Sequence, residues 1–526
     1  MPDRIDYFSK QSLRSDLKGR SLRGGMVTGA AQVTKVVIGL AVIPLMARLL
    51  EKADFGLVAM VSVFTGLATM FVDAGLSMAT VQREEINHRQ VSNLFWVAAA
   101  MGVLLCAVIS ALAPGISWFY VEPRLTAITL ALASAFVFSG LGVQHQALLR
   151  RGMEFHWLAV ADVSAMIAGQ AVAVGWAWTH YRQPNAYWAL VFMPITTAVV
   201  RTSILWLVCP WRPGLPRRGV GTRELFVFGA NLTGFNFLNY FVRNADNLLI
   251  GWWWGPAPLG AYERAYKLFL FPIRMTMSPL TGVMVSALSR IVNEPEKYRR
   301  FYLNVVGKAA LVMTPLSIFL CSTADLAVPA IFGAGWEEAI PVLRALALVG
   351  GVQVVGSTFG WLYVTQDRTD DMFRWIQMSG PLLLVAFGVG LPWGPTGVAT
   401  AYAGSSLLIT VPWNVTYACR TGPVSPRDVF GLLGVPVMVG LTAAAGGALS
   451  RLLWYDEGAV LPQAIAALGP GAEATLAGYL PVIRFVLATL LAGFAAAAAV
   501  VVIPSARSSM MELRQLKRAL TPQQPR

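Results

Sequence analysis

The feature of this sequence that most restricts its fold is a series of long apolar runs, each about as long as a bilayer is thick. A transmembrane helix needs roughly 20 mainly apolar residues, and a backbone in the hydrocarbon core must be helical or part of a closed barrel. Of the 526 residues, 56% are hydrophobic and only 13% are charged, whereas soluble domains are about a quarter charged. The sequence therefore predicts an integral membrane protein.

Fourteen runs of this kind follow one another along the chain. They lie at roughly 27–47, 56–80, 93–116, 124–147, 157–178, 186–208, 225–254, 260–287, 301–322, 338–364, 375–392, 396–416, 430–450 and 481–503. Their length favours helices over the short tilted strands of a membrane barrel. The predicted fold class is an all-α integral membrane protein with fourteen transmembrane helices.

The basic residues predict the orientation of these spans. Cytoplasmic loops of membrane proteins carry most of the Lys and Arg. With the N-terminus inside, the basic residues outside the spans fall mainly on the inside segments, so we predict N-in, C-in topology. This placement accounts for most of the net charge of +14 and gives no reason to expect a nucleic-acid partner.

An internal repeat is visible when the second half of the chain is laid over the first at the seventh span. The segment Ala53-Asp54-Phe55-Gly56 follows the first span, and Ala257-Pro258-Leu259-Gly260 follows the seventh. Repeats with an even number of spans run in parallel. We therefore expect two pseudo-symmetric six-helix lobes, with a site near the bilayer midplane where they meet.

Six segments follow from the spans and the repeat. They are a basic cytoplasmic N-terminus (1–25), an N-lobe (26–209), a cytoplasmic linker (210–224), a C-lobe (225–417), two further spans (430–503) and a basic cytoplasmic tail (504–526). The tail has leucines on one face and cations on another, which predicts an amphipathic helix on the inner leaflet.

The seventh span carries an unusual polar face. At about 100° per residue, these residues share one side of an otherwise apolar helix: Asn236, Asn239, Tyr240, Arg243, Asp246 and Asn247. Lipid would leave such groups unsatisfied, so the face must meet protein or water. Two interpretations of Arg243 stay open, a structural ion pair with Asp246 or a contact with a ligand.

The eighth and first spans carry matching cations. Arg264, Lys267 and Arg274 line one groove of the eighth span, and Lys35 lies on one face of the first span with Gln32. Arg264 could equally extend to the outer surface. We expect these three spans to surround a basic, hydrated cavity. Its excess of cations favours an anionic cargo such as a phosphorylated headgroup.

Other charged residues in the spans give weaker signals. Arg201 is a solitary deep cation, and Asp162 is a single acid that could be a helix-packing partner or a proton-linked group, of which we favour the packing interpretation. Lys308 and Arg344 are predicted to extend to the membrane surface. The four cysteines and four histidines show no metal-ligand spacing, so no cofactor is expected.

Several segments of the sequence resemble those of a known family. RNADNLLIGWWWGPAPLGAYERAYKL (243–268) is similar to the signature of the polysaccharide-transporter family, the O-antigen and colanic-acid exporter type of the multidrug/oligosaccharidyl-lipid/polysaccharide (MOP) exporter superfamily. Further similar segments are IPLMARLLEKADFGLVAM (43–60), FVDAGLSMATVQR (71–83), SALSRI (286–291), IFGAGWEEAIPVLRALAL (331–348) and GPTGVATAY (394–402).

The resemblance implies a V-shaped transporter with two six-helix lobes, two extra C-terminal helices and a cationic central cavity. Such a protein would move an undecaprenyl-diphosphate-linked oligosaccharide across a bacterial inner membrane by alternating access, beside membrane lipids and a polymerase and chain-length regulator. The membrane potential or a coupled ion would drive it. The resemblance implies that the family's cationic cavity corresponds chiefly to Arg243, Lys267 and Arg274, with Lys35 from the other lobe, although many relatives carry an uncharged residue at the position of Arg274.

Three rival functions remain. A drug antiporter of the same superfamily would need acidic cavity residues, and a lipid II flippase would share the basic cavity but not the 243–268 signature. A membrane polymerase or glycosyltransferase would need a large outer domain or an acidic metal motif, and the loops are too short for either. The predicted protein is a transporter and not an enzyme.

Overall fold

The computed structural model describes residues 7–8, 17–73, 75–82, 86–216, 223–455 and 480–503. The predicted amphipathic tail at 504–526 lies outside the described residues. Parts of the predicted N-terminal segment and of the linker at 210–224 also lie outside them.

The described residues form helices joined by short turns. In chain order the α-helices are α1 (Leu17–Leu49), α2 (Lys52–Asp73), α3 (Leu76–Gln82), α4 (His88–Tyr120), α5 (Arg124–Arg151), α6 (Phe155–Thr179), α7 (Trp188–Val208), α8 (Arg223–Trp254), α9 (Pro256–Arg290), α10 (Pro295–Ser322), α11 (Ala324–Phe332), α12 (Ala339–Thr365), α13 (Thr369–Gly390), α14 (Gly394–Ser405), α15 (Val411–Ala418), α16 (Pro426–Gly431), α17 (Gly434–Tyr455) and α18 (Leu480–Val502). A 3₁₀ turn, Leu391–Trp393, precedes α14, and a π-helical segment, Ser406–Thr410, joins α14 to α15.

The predicted spans correspond to these helices. In the described part of the chain, twelve segments are long and apolar enough to cross a membrane. One of them, Thr369–Ala418, contains two spans, because α13 and α14 pack against each other across the 3₁₀ turn. The helix α8 coincides with the remaining predicted span. The prediction of an all-α membrane fold is confirmed.

The predicted helix ends were less accurate than the helices themselves. The helix α10 begins at Pro295 rather than near 301, and α13 begins at Thr369 rather than near 375. Hydropathy detects only the apolar part of a helix, whereas the helix continues through its polar ends. A proline in the first turn, as at Pro295, starts a helix well because its missing N–H would have no partner there.

The chain divides into two compact units, residues 1–260 (unit 1) and 261–526 (unit 2). In unit 1, α1 packs on α6, α6 on α7, α4 on α5, and α2 on α8. Close approach of α4 and α5 depends on small residues: a Cβ at Gly102 would lie 2.6 Å from the carbonyl oxygen of Phe136, and one at Gly140 would lie 2.6 Å from that of Ala98. Small residues at such contacts are typical of membrane helices.

The two junctions of the predicted repeat pack against each other within unit 1. A Cβ at Gly56 would collide with the backbone carbonyl of Pro256, and a Cβ at Gly260 would collide with that of Lys52. Each glycine therefore faces the residue four positions before the other glycine. The contact is reciprocal, because equivalent positions of the two predicted repeat segments face each other.

In unit 2, α10 packs against both α12 and α17, and α17 packs against α18. Two buried hydroxyl pairs join α10 to α12, Tyr298 Oη with Thr365 Oγ1 at 2.6 Å and Tyr302 Oη with Thr358 Oγ1 at 2.7 Å. A buried hydroxyl must find a partner, so these pairs fix the register of the two helices.

Candidate functional site

In unit 1, an acidic residue holds two cations from other helices. Asp162 Oδ1 accepts a hydrogen bond from Arg201 Nε at 2.8 Å, and Asp162 Oδ2 lies 3.6 Å from Lys35 Nζ. Gln146 Oε1 accepts a second bond from Arg201, at 3.0 Å. We call Lys35, Asp162 and Arg201 the interhelical triad.

Three helices assemble this triad, because α1 contributes Lys35, α6 Asp162 and α7 Arg201, and a fourth helix, α5, contributes the Gln146 that accepts from Arg201. The three charged side chains are each about a third exposed, at 31% for both cations and 33% for Asp162. With two cations on one carboxylate, the group keeps an unneutralised positive charge. The two cations can therefore pair with Asp162 and still attract an anion.

The triad corrects one interpretation made from the sequence and agrees with another. Arg201 was interpreted as a solitary cation, but it pairs with Asp162. Asp162 joins neighbouring helices, in agreement with its interpretation as a helix-packing acid. Arg201 and Asp162 lie 39 residues apart, so no local spacing could reveal the pair. The signal available was the cost of an ionisable residue in a span, which by itself indicates a functional position. Gln32 lies one turn before Lys35 and is exposed.

The polar face of α8 is divided between buried and exposed groups. Asp246 is buried, 2% exposed, and its Oδ1 accepts a hydrogen bond from the Asn247 backbone N–H at 2.8 Å. Arg243 is exposed, whereas Asn239 and Asn247 are half-buried. Among the described residues, no ion pair joins the Arg243 guanidinium to a carboxylate. The structure therefore disfavours a structural pair with Asp246, one of the two interpretations left open.

The cations at the start of α9 surround Glu263. Arg264 Nε lies 3.3 Å from Glu263 Oε2, and Lys267 Nζ contacts Glu263 Oε1. Side-chain exposure differs sharply: 11% for Glu263, 14% for Arg264 and 58% for Lys267. We call these three residues the α9 triad. Arg264 is largely enclosed by protein and does not extend outward, whereas Lys267 is accessible.

Arg274 lies two to three turns beyond the α9 triad on the same helix and is exposed. Its guanidinium makes no ion pair within the described ranges. It resembles Arg243 in this respect. Both are exposed cations on predicted membrane helices, where a charge without a counter-ion is costly and an anionic ligand would relieve that cost.

Two further predictions about charged residues can be compared with the structure. Lys308 is 8% exposed and lies near the middle of α10, so the prediction that it extends to the surface was wrong. The prediction for Lys308 failed because α10 begins earlier than hydropathy indicated. Arg344 is half-exposed and its Nη2 donates to Asp325 Oδ1 at 3.0 Å; Asp325 belongs to α11, a short helix that was not predicted.

Comparison with known families decides the class of this chain. Residues 45–341, more than half of it, match the model of a family described as polysaccharide biosynthesis protein. The chain belongs to this family. One similar protein is the lipopolysaccharide biosynthesis protein WzxC of Escherichia coli (strain K12). It is 28% identical over 382 residues, which cover 70% of this chain and 76% of WzxC.

Solved structures show the same fold. The lipid II flippase MurJ in an inward closed conformation aligns with a TM-score of 0.67 at 12% identity, covering 90% of this chain and 98% of that structure. A multidrug resistance MATE family transporter of the MOP superfamily aligns with a TM-score of 0.58 at 12% identity, covering 76% of this chain and 95% of that structure. The recognition of a polysaccharide-transporter protein with a MOP-type fold is confirmed.

Proposed function

We propose that this protein is a flippase for undecaprenyl-diphosphate-linked oligosaccharides in exopolysaccharide, O-antigen or capsule biosynthesis. It would lie in a bacterial inner membrane with both termini in the cytoplasm. The observation that carries the proposal is the excess of positive charge on membrane helices of a polysaccharide biosynthesis protein. Two cations share Asp162, and Arg243 and Arg274 have no ion-pair partner among the described residues.

The residues divide into ligand contacts and supports. Arg243, Lys267, Arg274 and Lys35 are exposed or partly exposed cations that would contact the diphosphate, because phosphate is bound best by charge-assisted hydrogen bonds. Gln32, Asn239 and Asn247 would bind sugar hydroxyls or water. Arg201, which was not among the predicted site residues, would contact the diphosphate beside Lys35, because both cations share Asp162.

Asp246, Asp162 and the buried pair of Arg264 and Glu263 would act as supports. An acid next to a cation orients it and limits how tightly it holds an anion, which a transporter needs for release. Arg264 is mostly buried, so it would hold Glu263 in place and keep Lys267 pointed toward the ligand. It would not contact the diphosphate itself.

Transport would proceed by alternating access with a cationic central cavity. The diphosphate would bind the cations from the cytoplasmic side, the sugars would occupy hydrated space, and the polyprenyl chain would stay in lipid. Moving one negative charge outward across an inside-negative membrane is favoured by about 2.3 kcal/mol per 100 mV. The membrane potential could thus drive the flip, with or without a coupled ion. A polymerase and a chain-length regulator would use the product.

A second candidate, a lipid II flippase, is favoured by the fold similarity to MurJ. Both substrates are polyprenyl diphosphates, so the same cations would serve either one. A drug antiporter with the same fold is disfavoured, because organic cations would meet a positively charged site. Reconstituted protein supplied with lipid II or with a diphosphate-linked repeat unit separates the first two functions.

The direct test is Arg243→Gln in cells that depend on this protein for their surface polymer. Arg243 is exposed, so the variant should insert normally, while surface polymer falls at least 20-fold because a phosphate contact is lost. Arg182→Gln is the matched control, since Arg182 lies in a turn between α6 and α7 and contacts only the ring of Tyr181 in the described structure. Normal polymer with equal membrane levels of Arg243→Gln would refute the proposal.

A further inference from the structure

A second basic site lies in unit 2, on a helix that the proposed substrate site does not use. A cleft of about 410 Å³ runs along the first half of α10 and is bounded on its other side by Leu432, just before α17. Its charged lining consists of Arg299, Arg300, Lys308 and Glu296. The cleft is built wholly from neighbouring elements of one unit, and its lining is dominated by cations.

Helical spacing explains why these residues meet in one cleft. Arg300 and Lys308 are eight residues apart on α10, which places them on one face and about 12 Å apart along the axis at 1.5 Å per residue. Gly307 keeps the space between α10 and Leu432 open, because a Cβ there would come within 3.1 Å of Leu432 Cδ2. The cleft therefore extends from a polar mouth down to a buried cation.

The charges of the cleft are only partly balanced. Arg299 is committed to Asp428, whose two carboxylate oxygens accept from Arg299 Nε at 2.8 Å and Nη2 at 2.5 Å. Arg300 has no ion pair with any carboxylate in the described part of the chain. Lys308 is only 8% exposed. The lining of the cleft has three cations and a single carboxylate, Glu296, so the cleft suits an anionic ligand.

The surroundings indicate what kind of molecule carries that charge. The helix α17, which begins two residues after Leu432, exposes Val437, Met438 and Leu441. The segment Pro426–Ser450 is apolar enough to span a membrane, so these side chains would face acyl chains. Basic pockets between membrane helices on the cytoplasmic side are suited to anionic lipid headgroups, and the predicted topology places the start of α10 on that side.

We propose that this cleft binds the phosphodiester headgroup of an anionic phospholipid of the inner leaflet. Arg300 and Lys308 contact the phosphate, Arg299 is fixed by Asp428 at the mouth, and Glu296 disfavours more highly charged phosphates. The acyl chains lie along the exposed apolar face of α17. The site is separate from the diphosphate contacts proposed above and does not depend on which substrate is transported.

The test uses the purified full-length protein in detergent with added phosphatidylglycerol, phosphatidylethanolamine or inorganic phosphate. Lipid binding is measured by native mass spectrometry and by the rise in Tm. Wild-type protein should bind phosphatidylglycerol at least fivefold more tightly than phosphatidylethanolamine. Arg300→Gln should weaken phosphatidylglycerol binding at least fivefold, because one charged phosphate contact is removed.

Lys297→Gln is the matched control. Lys297 lies in the first turn of α10, is 61% exposed and pairs with Glu294 at 3.2 Å, and it does not line the cleft. The Lys297→Gln change removes one positive charge, as Arg300→Gln does, and should change phosphatidylglycerol binding less than twofold. Lys308→Gln should weaken phosphatidylglycerol binding more than Arg300→Gln does. Lys308 is buried, so if its replacement prevents folding, the result for Arg300→Gln still tests the proposal.

Three results would overturn the proposal. Equal weakening by Lys297→Gln and Arg300→Gln would show general attraction to a basic surface. Equal binding of phosphatidylethanolamine would show that the charge is irrelevant. Equal stabilisation by inorganic phosphate at the same concentration would show a site for a soluble anion and not for a lipid.

Discussion

The interhelical triad and the α9 triad have the same charges, two cations and one carboxylate, but differ in origin and burial. Lys35, Asp162 and Arg201 come from three helices, and each is about a third exposed. The α9 triad lies within five consecutive positions of one helix, and its carboxylate is buried between one buried and one exposed cation.

This difference in burial distinguishes charged residues that stabilise the fold from charged residues that can contact a ligand. A buried ion pair contributes little net stability but is costly to break, because the remaining charge is left in a poorly solvated place. A partly exposed pair is cheaper to break, and it stays accessible to a ligand. We therefore expect the α9 triad to affect mainly stability through Glu263 and Arg264, and the interhelical triad to affect mainly transport.

The largest expected effect on stability is that of Glu263→Gln. It leaves Arg264 largely buried without its carboxylate, which should lower the free energy of unfolding by about 3 kcal/mol. The measurement is reversible unfolding of the purified protein in mixed detergent micelles. A loss no greater than that of Asp162→Asn would break the comparison, since burial would then not matter.

Asp162→Asn should have a smaller effect on stability, about 1 kcal/mol, because its side chain and both partners are a third exposed and solvent screens the loss. Its effect on transport should be larger, because Lys35 and Arg201 would hold the diphosphate more tightly and release it more slowly. In proteoliposomes we expect a lower KM and a several-fold lower turnover.

Asp325→Asn is the control for that prediction. Asp325 has a similar exposure of 31% and pairs with Arg344 at 3.0 Å, but it has no proposed contact with the substrate. Turnover should stay within twofold of wild type. If both aspartate variants reduce turnover alike with unchanged KM, the interhelical triad has no special role in transport.

The smallest effect on stability is expected for Lys267→Gln. Lys267 is 58% exposed and lies four residues after Glu263, and such pairs contribute about 0.3–0.5 kcal/mol. Transport should nevertheless fall several-fold if Lys267 contacts the diphosphate. A loss of more than 1 kcal/mol without loss of transport would place Lys267 with the structural members of its triad.

The two triads also show what sequence can and cannot predict. The α9 cations Arg264 and Lys267 were found from sequence because they share a helix, and helical spacing alone brings them together. The partnership of Asp162 with Arg201 depends on how α6 packs on α7, and no pattern within either helix contains that information. The fourteen spans could also be predicted, because the hydropathy of a segment is a local property of the sequence, as helical spacing is.

The polar face of α8 lies between these cases. Projection on a helix placed Arg243 and Asp246 on one face, but it could not show that one is exposed and the other buried. Burial depends on the neighbouring helices. One of them is α2, which packs against α8 and whose Ser62 carbonyl accepts a hydrogen bond from the Tyr240 hydroxyl at 3.1 Å. The short helices α3, α11 and α16 were missed because they are too brief to show a hydrophobic period.

The reciprocal contact of Gly56 with Pro256 and of Gly260 with Lys52 has a consequence for the origin of the chain. Contacts in which each partner presents the same surface to the other are the mark of a two-fold dimer interface. Here both surfaces belong to one polypeptide, which is what gene duplication and fusion of a self-pairing ancestor would leave. An ancestor with one such glycine would have satisfied both contacts at once, whereas the fused chain must keep two.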